Sequence, residues 1–330
     1  MAETPVITLQ DIYRARQRIR ALARVTPLER AEHLDHHAGG AVYLKLENLQ
    51  RTGSFKLRGA ANKLSSLAPA EQERGVITVS TGNHGRAVAL AARELGIRAV
   101  VCLSRGVPPN KVAAIQALGA TVEVHGESYD EAEAHALAVQ QEQGLTLIDP
   151  FDDPQIIAGQ GTIALEILET QPDVDTAVVP LSGGGLVSGV ALALKAANPA
   201  IRVYGVSMTR APVMFHSLRA GVPVSLPEEP TLADALMGGI GSPNRFTFRL
   251  VQQLVDDTVL VTEEEIAAAM AYALKVQHQV VEGGGAVGLA AVLHEKIARL
   301  GRQVVIVISG GNVSVDRLLE IVAAVDSIAP

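Results

Sequence analysis

From Ala41 onward the chain alternates short apolar runs with longer alanine-rich stretches, and this alternation restricts the fold more than any other feature of the sequence. The runs Ala41–Leu46, Val76–Val79, Ala99–Leu103, Thr121–Val124, Thr176–Val179, Arg202–Val206 and Val304–Ile308 have strand length and carry few polar residues. Between several of them lie helical patterns at 85–95, 110–118, 129–143, 157–169, 186–197, 263–278 and 288–300, and a further helix is expected at 9–23. Strand-helix-strand alternation predicts βαβ units, hence an α/β fold with mostly parallel sheets covered by helices on both faces. The apolar matter suits that class: 48% of residues are hydrophobic, yet the aromatics are 5 Tyr, 5 Phe and no Trp. Polar, proline-bearing turns at 68–75 and 149–154 frame a smaller domain at 65–149 within a discontinuous larger one, 1–64 and 150–330.

Several partner classes are excluded early. A formal net charge of −7 and few aromatics offer neither an electrostatic footprint nor a stacking platform for nucleic acid. The longest charge-free span, 176–194, is interrupted by Pro180 and the Gly183-Gly184-Gly185 run, so it reads as strand, turn and helix, and no membrane partner is expected. The single cysteine, Cys102, sits in an apolar run and is expected in the core, without a disulfide. The N-terminus lacks a basic stretch followed by an apolar one, which favours a cytoplasmic setting.

Gly-rich or small-residue turns follow apolar runs at Ser80–Gly85, Ser182–Gly185, Met237–Gly241 and Ser309–Asn312. Ligands of open α/β sheets bind at the carboxyl ends of strands, and a helix N-terminus presents free N–H groups to an anion. Ser182–Gly185 is thus a candidate phosphate cradle, although a triple glycine is equally an ordinary tight turn. Neither a Walker A sequence nor a GxGxxG fingerprint is present. Lys56 follows Gly53-Ser54-Phe55 at the expected start of a helix running to Leu67. A helix N-terminus and the nearby Arg58 both disfavour a cation, so the Lys56 amine should deprotonate below the ordinary value of about 10.4 and be able to form a Schiff base.

Taken in order, these segments resemble the fold-type II pyridoxal-phosphate enzymes, specifically the threonine dehydratase and serine racemase family. Lys45–Ala60 is similar to its lysine motif, Ser80–Gly85 to its asparagine loop, Ala158–Thr162 to its GQGT turn, Ser182–Gly185 to its phosphate loop and Ser309–Asn312 to its C-terminal serine turn. The resemblance implies two open, twisted, mostly parallel sheets in a larger and a smaller domain, as in the tryptophan synthase β-like fold, with pyridoxal 5′-phosphate in the cleft. It implies that Lys56 holds the cofactor, that Phe55 and Asn83 flank it, and that Asn83 bonds the ring oxygen. The N–H groups of Gly183, Gly184, Gly185 and Leu186 would hold the phosphate, and Ser309 would face the pyridine nitrogen as a neutral partner. Ser80, Thr81, Gly82, Asn83 and His84 would receive the substrate, with Gly239 beside it. Thr81 stands where serine racemases place a second acid/base, and Glu282 where the family has an acid near the cofactor.

The implied activity is a PLP-dependent lyase: the substrate amine displaces Lys56, freed Lys56 takes the Cα proton, the β-hydroxyl leaves as water, and the released enamine hydrolyses to a keto acid and ammonia. Ser207 and Val213 occupy positions where the family places acidic metal ligands, so no metal is expected there. The chain stops at Pro330, soon after the serine turn, so a C-terminal regulatory domain is not expected either. Ser80–Arg86 together with Met237–Gly241 looks most like the dehydratases of hydroxyectoine catabolism. A catabolic L-threonine/L-serine dehydratase is the alternative, 3-hydroxyaspartate dehydratase a third, and the family favours a homodimer. A non-catalytic small-ligand-binding α/β protein is the reading of a different class; it would be colourless, whereas a lysine-bound cofactor absorbs visible light.

Overall fold

The computed structural model describes residues 7–80, 82–107, 109–127, 129–241 and 243–325. Its strands are β1 (Leu28–Arg30), β2 (Ala41–Leu46), β3 (Val76–Val79), β4 (Ala99–Leu103), β5 (Thr121–Val124), β6 (Thr146–Leu147), β7 (Thr176–Pro180), β8 (Arg202–Met208), β9 (Asp257–Val261) and β10 (Gln303–Ile308). They form a six-stranded sheet, β1-β2-β10-β7-β8-β9, and a four-stranded sheet, β5-β4-β3-β6. Only β1 runs antiparallel to its neighbour, so the expected α/β class with two mostly parallel sheets is what the chain adopts.

Successive side chains of a strand point to opposite faces, and here both faces are covered. In β10, Val304, Ile306 and Ile308 enter one core cluster with Val42, Leu44 and Leu46, while Val305 and Val307 enter another with Ala177 and Val179. That two-sided burial is why the strand reads as an unbroken apolar run. In the smaller sheet, Val101 and Leu103 pack toward the Asn83–Leu95 helix, and Val100 and Cys102 toward Ala132, Ala136 and Val139 of the Tyr129–Gln143 helix. Cys102 is buried as expected. Among the described residues no helix is long and apolar enough to cross a membrane.

Parallel pairing sets β2, β10 and β7 side by side. Their carboxyl ends therefore bring the lysine segment, the serine turn and the glycine turn together, while β3 of the other sheet delivers the 80–84 loop.

Three expectations on local structure are corrected. The polar stretch 68–75 is no turn: it holds the Pro69–Arg74 helix, with Pro at its first position and the Glu71 side chain accepting the Ala68 N–H. Ala158–Thr162 is no turn: it lies inside the Pro154–Thr170 helix, where its glycines let other helices approach. A Cβ on Gly159 would stand 2.6 Å from the Arg58 carbonyl oxygen, and one on Gly161 would stand 2.9 Å from the Gly189 carbonyl oxygen. The helix expected at 288–300 instead spans Gly283–Leu293. A Cβ on Gly283 would lie 2.0 Å from the Leu232 carbonyl oxygen, and one on Gly285 2.5 Å from that of Gly310, so this glycine run is a packed first turn.

Candidate active site

The lysine segment and the serine turn are sewn together by main chain. Phe55 N–H donates to the Ser309 carbonyl (3.0 Å), Gly311 N–H donates to the Gly53 carbonyl (2.9 Å), and Ser54 bridges Gly310. Gly53 has φ +75, and a Cβ there would stand 2.5 Å from the Asn312 side chain, so glycine is required on two counts. Lys56 then opens the Lys56–Ser65 helix. Its Nζ donates to the Pro150 carbonyl at 2.8 Å and lies 5.3 Å from the centre of the Phe55 ring.

The Lys56 pKa is lowered to about 8, chiefly by burial, against an opposing pull from the Asp149 carboxylate. Part of the side chain is still exposed; the amine end lies among protein atoms, and that end is what burial acts on. The direction matches the sequence argument, but Arg58 is not the cause. Its guanidinium is spent on Glu47 (Nε–Oε2 and Nη2–Oε1, both 2.8 Å) and on Glu166 (Nη1–Oε1 2.6 Å, Nη2–Oε2 2.8 Å). Lys45 donates to the same Glu166 at 2.5 Å, and all four charged residues are buried. Two cations and two carboxylates cancel locally, leaving little net field at Lys56.

Pro150, which receives the Lys56 amine, precedes Phe151, and Phe151 underlies the glycine turn. A Cβ on Gly183 would lie 2.5 Å from the Phe151 ring, and one on Gly185 would lie 2.9 Å from the Phe151 carbonyl oxygen and 3.0 Å from its Cα. Gly184 adopts φ +89. The Gly185–Ala197 helix starts there, so the first-turn N–H groups, that of Leu186 included, project from the turn unused by the helix itself. Ser182 donates its hydroxyl to the Leu236 carbonyl at 2.9 Å, tying the turn to the 231–237 segment.

Asn83 opens the Asn83–Leu95 helix behind Gly82, and the Ser80 hydroxyl accepts the Gly82 N–H at 3.3 Å. Thr81 lies outside the described residues. Asn83 donates from Nδ2 to Glu282 (2.6 Å) and accepts at Oδ1 from Asn312 (2.6 Å), while Arg86 donates to Asn312 (2.8 Å). Glu282 is buried, and burial with the neighbouring Asp234 charge pushes its carboxyl up to about 7. This chain of amides and acid was not evident from sequence, because its members come from segments about two hundred residues apart. Ser309 is buried, with a long 3.4 Å contact from Oγ to the Gly284 carbonyl.

His84 sits deeper than a substrate ligand would. Its Nε2 is 3.1 Å from the Ile148 carbonyl, an assignment that places the proton on Nε2, and burial together with Lys56 drives its pKa down to about 3. What His84 can offer a carboxylate is its backbone N–H. Gly239 has open space around it, the nearest atom to a Cβ there being Gly241 N at 3.9 Å. Ser207 and Val213 are both buried, and neither supplies a carboxylate.

These groups fit a phosphorylated aldehyde cofactor. A partly neutral amine stands next to a turn whose packing admits only glycine, and the buried Ser54 hydroxyl and His84 Nδ1 have no hydrogen-bond partner among the described residues. Comparison with known proteins agrees. Residues 19–310 match the model of the family described as "Pyridoxal-phosphate dependent enzyme". The L-threonine ammonia-lyase of Thermotoga maritima is 46% identical over 96% of this chain and 78% of its own length. A catabolic L-threonine dehydratase of Escherichia coli is 41% identical over 97% of this chain and 98% of its own. The structure of maize serine racemase superposes with a TM-score of 0.91 at 36% identity, covering 96% of this chain and 97% of that one.

Proposed function

The chain belongs to the family of pyridoxal-phosphate dependent enzymes and is an ammonia-lyase, and from that premise we propose that it dehydrates and deaminates a small β-hydroxy amino acid, L-threonine or L-serine first. The observation that carries this reading is the Lys56 amine, depressed to about 8 and held 2.8 Å from the Pro150 carbonyl beside the glycine turn. When bound, pyridoxal phosphate supplies an electron sink for the substrate's Cα. In this reading the N–H groups of Gly183, Gly184, Gly185 and Leu186 hold its phosphate, Phe55 and Asn83 flank the ring, and the Ser309 hydroxyl faces the pyridine nitrogen. The N-terminus of the Asn83–Leu95 helix, with the Ser80–His84 loop, receives the substrate carboxylate. Lys56 accepts the Cα proton, and the β-hydroxyl departs as water. Buried Glu282, bonded to Asn83, fixes the amide that faces the ring.

Residues 65–149 act here as the smaller domain across the cleft from 1–64 and 150–330. Family resemblance also favours a cytoplasmic homodimer, the second part of which sedimentation of the purified chain tests. Ammonia and 2-oxobutanoate should form from L-threonine and vanish in Lys56→Ala. Failure of L-threonine, L-serine, 3-hydroxyaspartate and a 2,4-diamino-3-hydroxy acid alike to release ammonia would overturn the reading.

A second substrate reading rests on the open surroundings of Gly239 and not on charge, since the cavity of about 410 Å³ next to Asn312 is lined by Arg86, Lys111 and Arg317 as well as by Asp234 and Glu282, and Asp234 is paired with Lys111 at 2.9 Å. Ring opening of hydroxyectoine, with removal of any acyl group, yields a 2,4-diamino-3-hydroxy acid whose distal ammonium needs an anionic or roomy pocket. If this is the substrate, its kcat/KM exceeds that of L-threonine, and replacing Gly239 by a bulkier residue narrows the gap. A higher kcat/KM for L-threonine in a side-by-side ammonia assay removes the hydroxyectoine reading.

A further inference from the structure

On the face of the smaller sheet away from the cofactor site, three side chains of metal-ligating type converge. Cys102 of β4 and Glu123 of β5 are directly paired in the parallel register, so both side chains leave the sheet on the same face. That face is covered by the Tyr129–Gln143 helix, whose Ala132, Ala136 and Val139 pack on the sheet. His135 shares their helical stripe and lands opposite the pair. The Cys102 sulfur, a Glu123 carboxylate oxygen and a His135 ring nitrogen all lie within 4.8 Å of one another. His135 Nε2 is already 2.7 Å from Glu123 Oε2. His125, just past the end of β5, stacks on the His135 ring at 4.3 Å.

We propose that Cys102, Glu123 and His135 form a binding site for one zinc-class ion that clamps β4 and β5 to the Tyr129–Gln143 helix. Donors around a tetrahedral zinc with bonds of about 2.0–2.3 Å stand roughly 3.5 Å apart, so the pairs made by Cys102 close by at most about 1.3 Å while the His135–Glu123 hydrogen bond opens by about 0.8 Å to admit the ion. One thiolate and one carboxylate balance the two positive charges of the ion, so the half-buried complex is neutral. The thiol proton of Cys102 passes to solvent as the sulfur binds. A sulfur, nitrogen and oxygen set selects zinc over magnesium or calcium, which demand oxygen ligands. A fourth position stays open to water. The clamp reaches toward the substrate side as well, because the Cys102 carbonyl accepts the Ser80 N–H at 3.4 Å. This site shares no residue with the Ser207 and Val213 positions discussed above.

The test uses purified holoenzyme, loaded with zinc and dialysed against metal-free buffer. One zinc per chain should be retained and should raise the melting temperature, and both effects should be lost in Cys102→Ser and His135→Gln, which keep the side-chain volume and leave the cofactor's visible absorbance intact. Zinc X-ray absorption on the unmodified protein removes any dependence on how the variants fold. Cys102 is the only cysteine, so a single sulfur scatterer among nitrogen and oxygen places the ion at this site. Absence of retained zinc, retention undiminished in both variants, or a shell of nitrogen and oxygen alone overturns the proposal.

Discussion

The depressed basicity of Lys56 makes a quantitative prediction about cofactor capture. An ordinary lysine near 10.5 is neutral at pH 7 in only about one molecule in 3,000, whereas a lysine at about 8 is neutral in about one in ten. Only the neutral amine attacks an aldehyde, so apoenzyme should capture pyridoxal phosphate about 300-fold faster at pH 7 than an unperturbed lysine of equal access. The rate should rise about tenfold per pH unit below 8 and level off above it, whereas capture by N-acetyl-lysine methylamide should go on rising to about pH 10. Asp149 tests the cause. Its carboxylate favours the ammonium form, so Asp149→Asn should move the midpoint lower still and quicken capture at pH 7. The asparagine retains an oxygen to accept the Phe151 and Asp152 N–H groups, which Asp149 Oδ1 holds at 2.8 and 2.6 Å. Stopped-flow absorbance reads the rate directly. A capture rate that climbs without a plateau through pH 10, or a midpoint that Asp149→Asn moves upward, refutes the assignment of burial as the dominant cause.

Four further outcomes are expected. Gly185→Ala forces a Cβ against Phe151 backbone that cannot swing aside, and overpacking of about 1–3 kcal/mol should weaken pyridoxal-phosphate binding by roughly 5- to 150-fold; equilibrium dialysis measures it, with Gly106→Ala, where a Cβ meets no atom within 4 Å, as the control that keeps its affinity. Ser309→Asp should retain the cofactor yet lower ammonia release, because an acid at that position holds a proton on the pyridine nitrogen and alters the electron sink; unchanged turnover would show that Ser309 does not face the ring. Glu282→Gln should erase a titration near pH 7 from the kcat/KM profile, since the wild-type carboxyl, raised to about 7, ionises as pH rises through that value. Magnesium or calcium added to the enzyme should leave its rate unchanged, given Ser207 and Val213 at the positions discussed; activation by either ion would place a hard-metal site elsewhere.

How much of this was legible in sequence depended on how local its cause is. β2, β3, β4 and β5 begin and end where their expected runs do; in β3 and β4 every residue is buried, which leaves no room for charged residues within the run. β1 and β6, three and two residues long, carry too little pattern, and β9 starts with exposed Asp257 at the sheet edge. The Val213–Ala220, Thr247–Leu254 and Val315–Ala324 helices were not expected, although Thr247–Leu254 and Val315–Ala324 are amphipathic; each is only eight to ten residues long, too short for its period to stand apart from the flanking loops. Thr262 and Glu265 were readable as a capped helix start, since a capping box is complete within four residues. The turn assigned to Ala158–Thr162 failed for the opposite reason: its glycines answer to Arg58, Gly59 and Gly189, which only the packed helices bring near.

The same distinction explains why the sequence argument for a depressed Lys56 amine has the direction right and one of its causes wrong. Along the chain alone, Arg58 is a cation adjacent to Lys56. In the fold, Arg58 reaches Glu47 and Glu166, 11 and 108 residues away, and Lys45 neutralises what remains of Glu166. A free guanidinium two residues along the helix would tie the Lys56 amine to every change in the charge state of that region. With the charge consumed in a closed, buried set, the amine responds to its own desolvation and to Asp149. The Gly59–Gly159 crossing completes the arrangement. A Cβ on Gly59 would stand 3.0 Å from the Ile156 carbonyl oxygen, so only a glycine contact lets the Lys56–Ser65 helix lie close enough for Arg58 to reach Glu166. The helix that presents the lysine is therefore fixed by the same charges that are kept from acting on it.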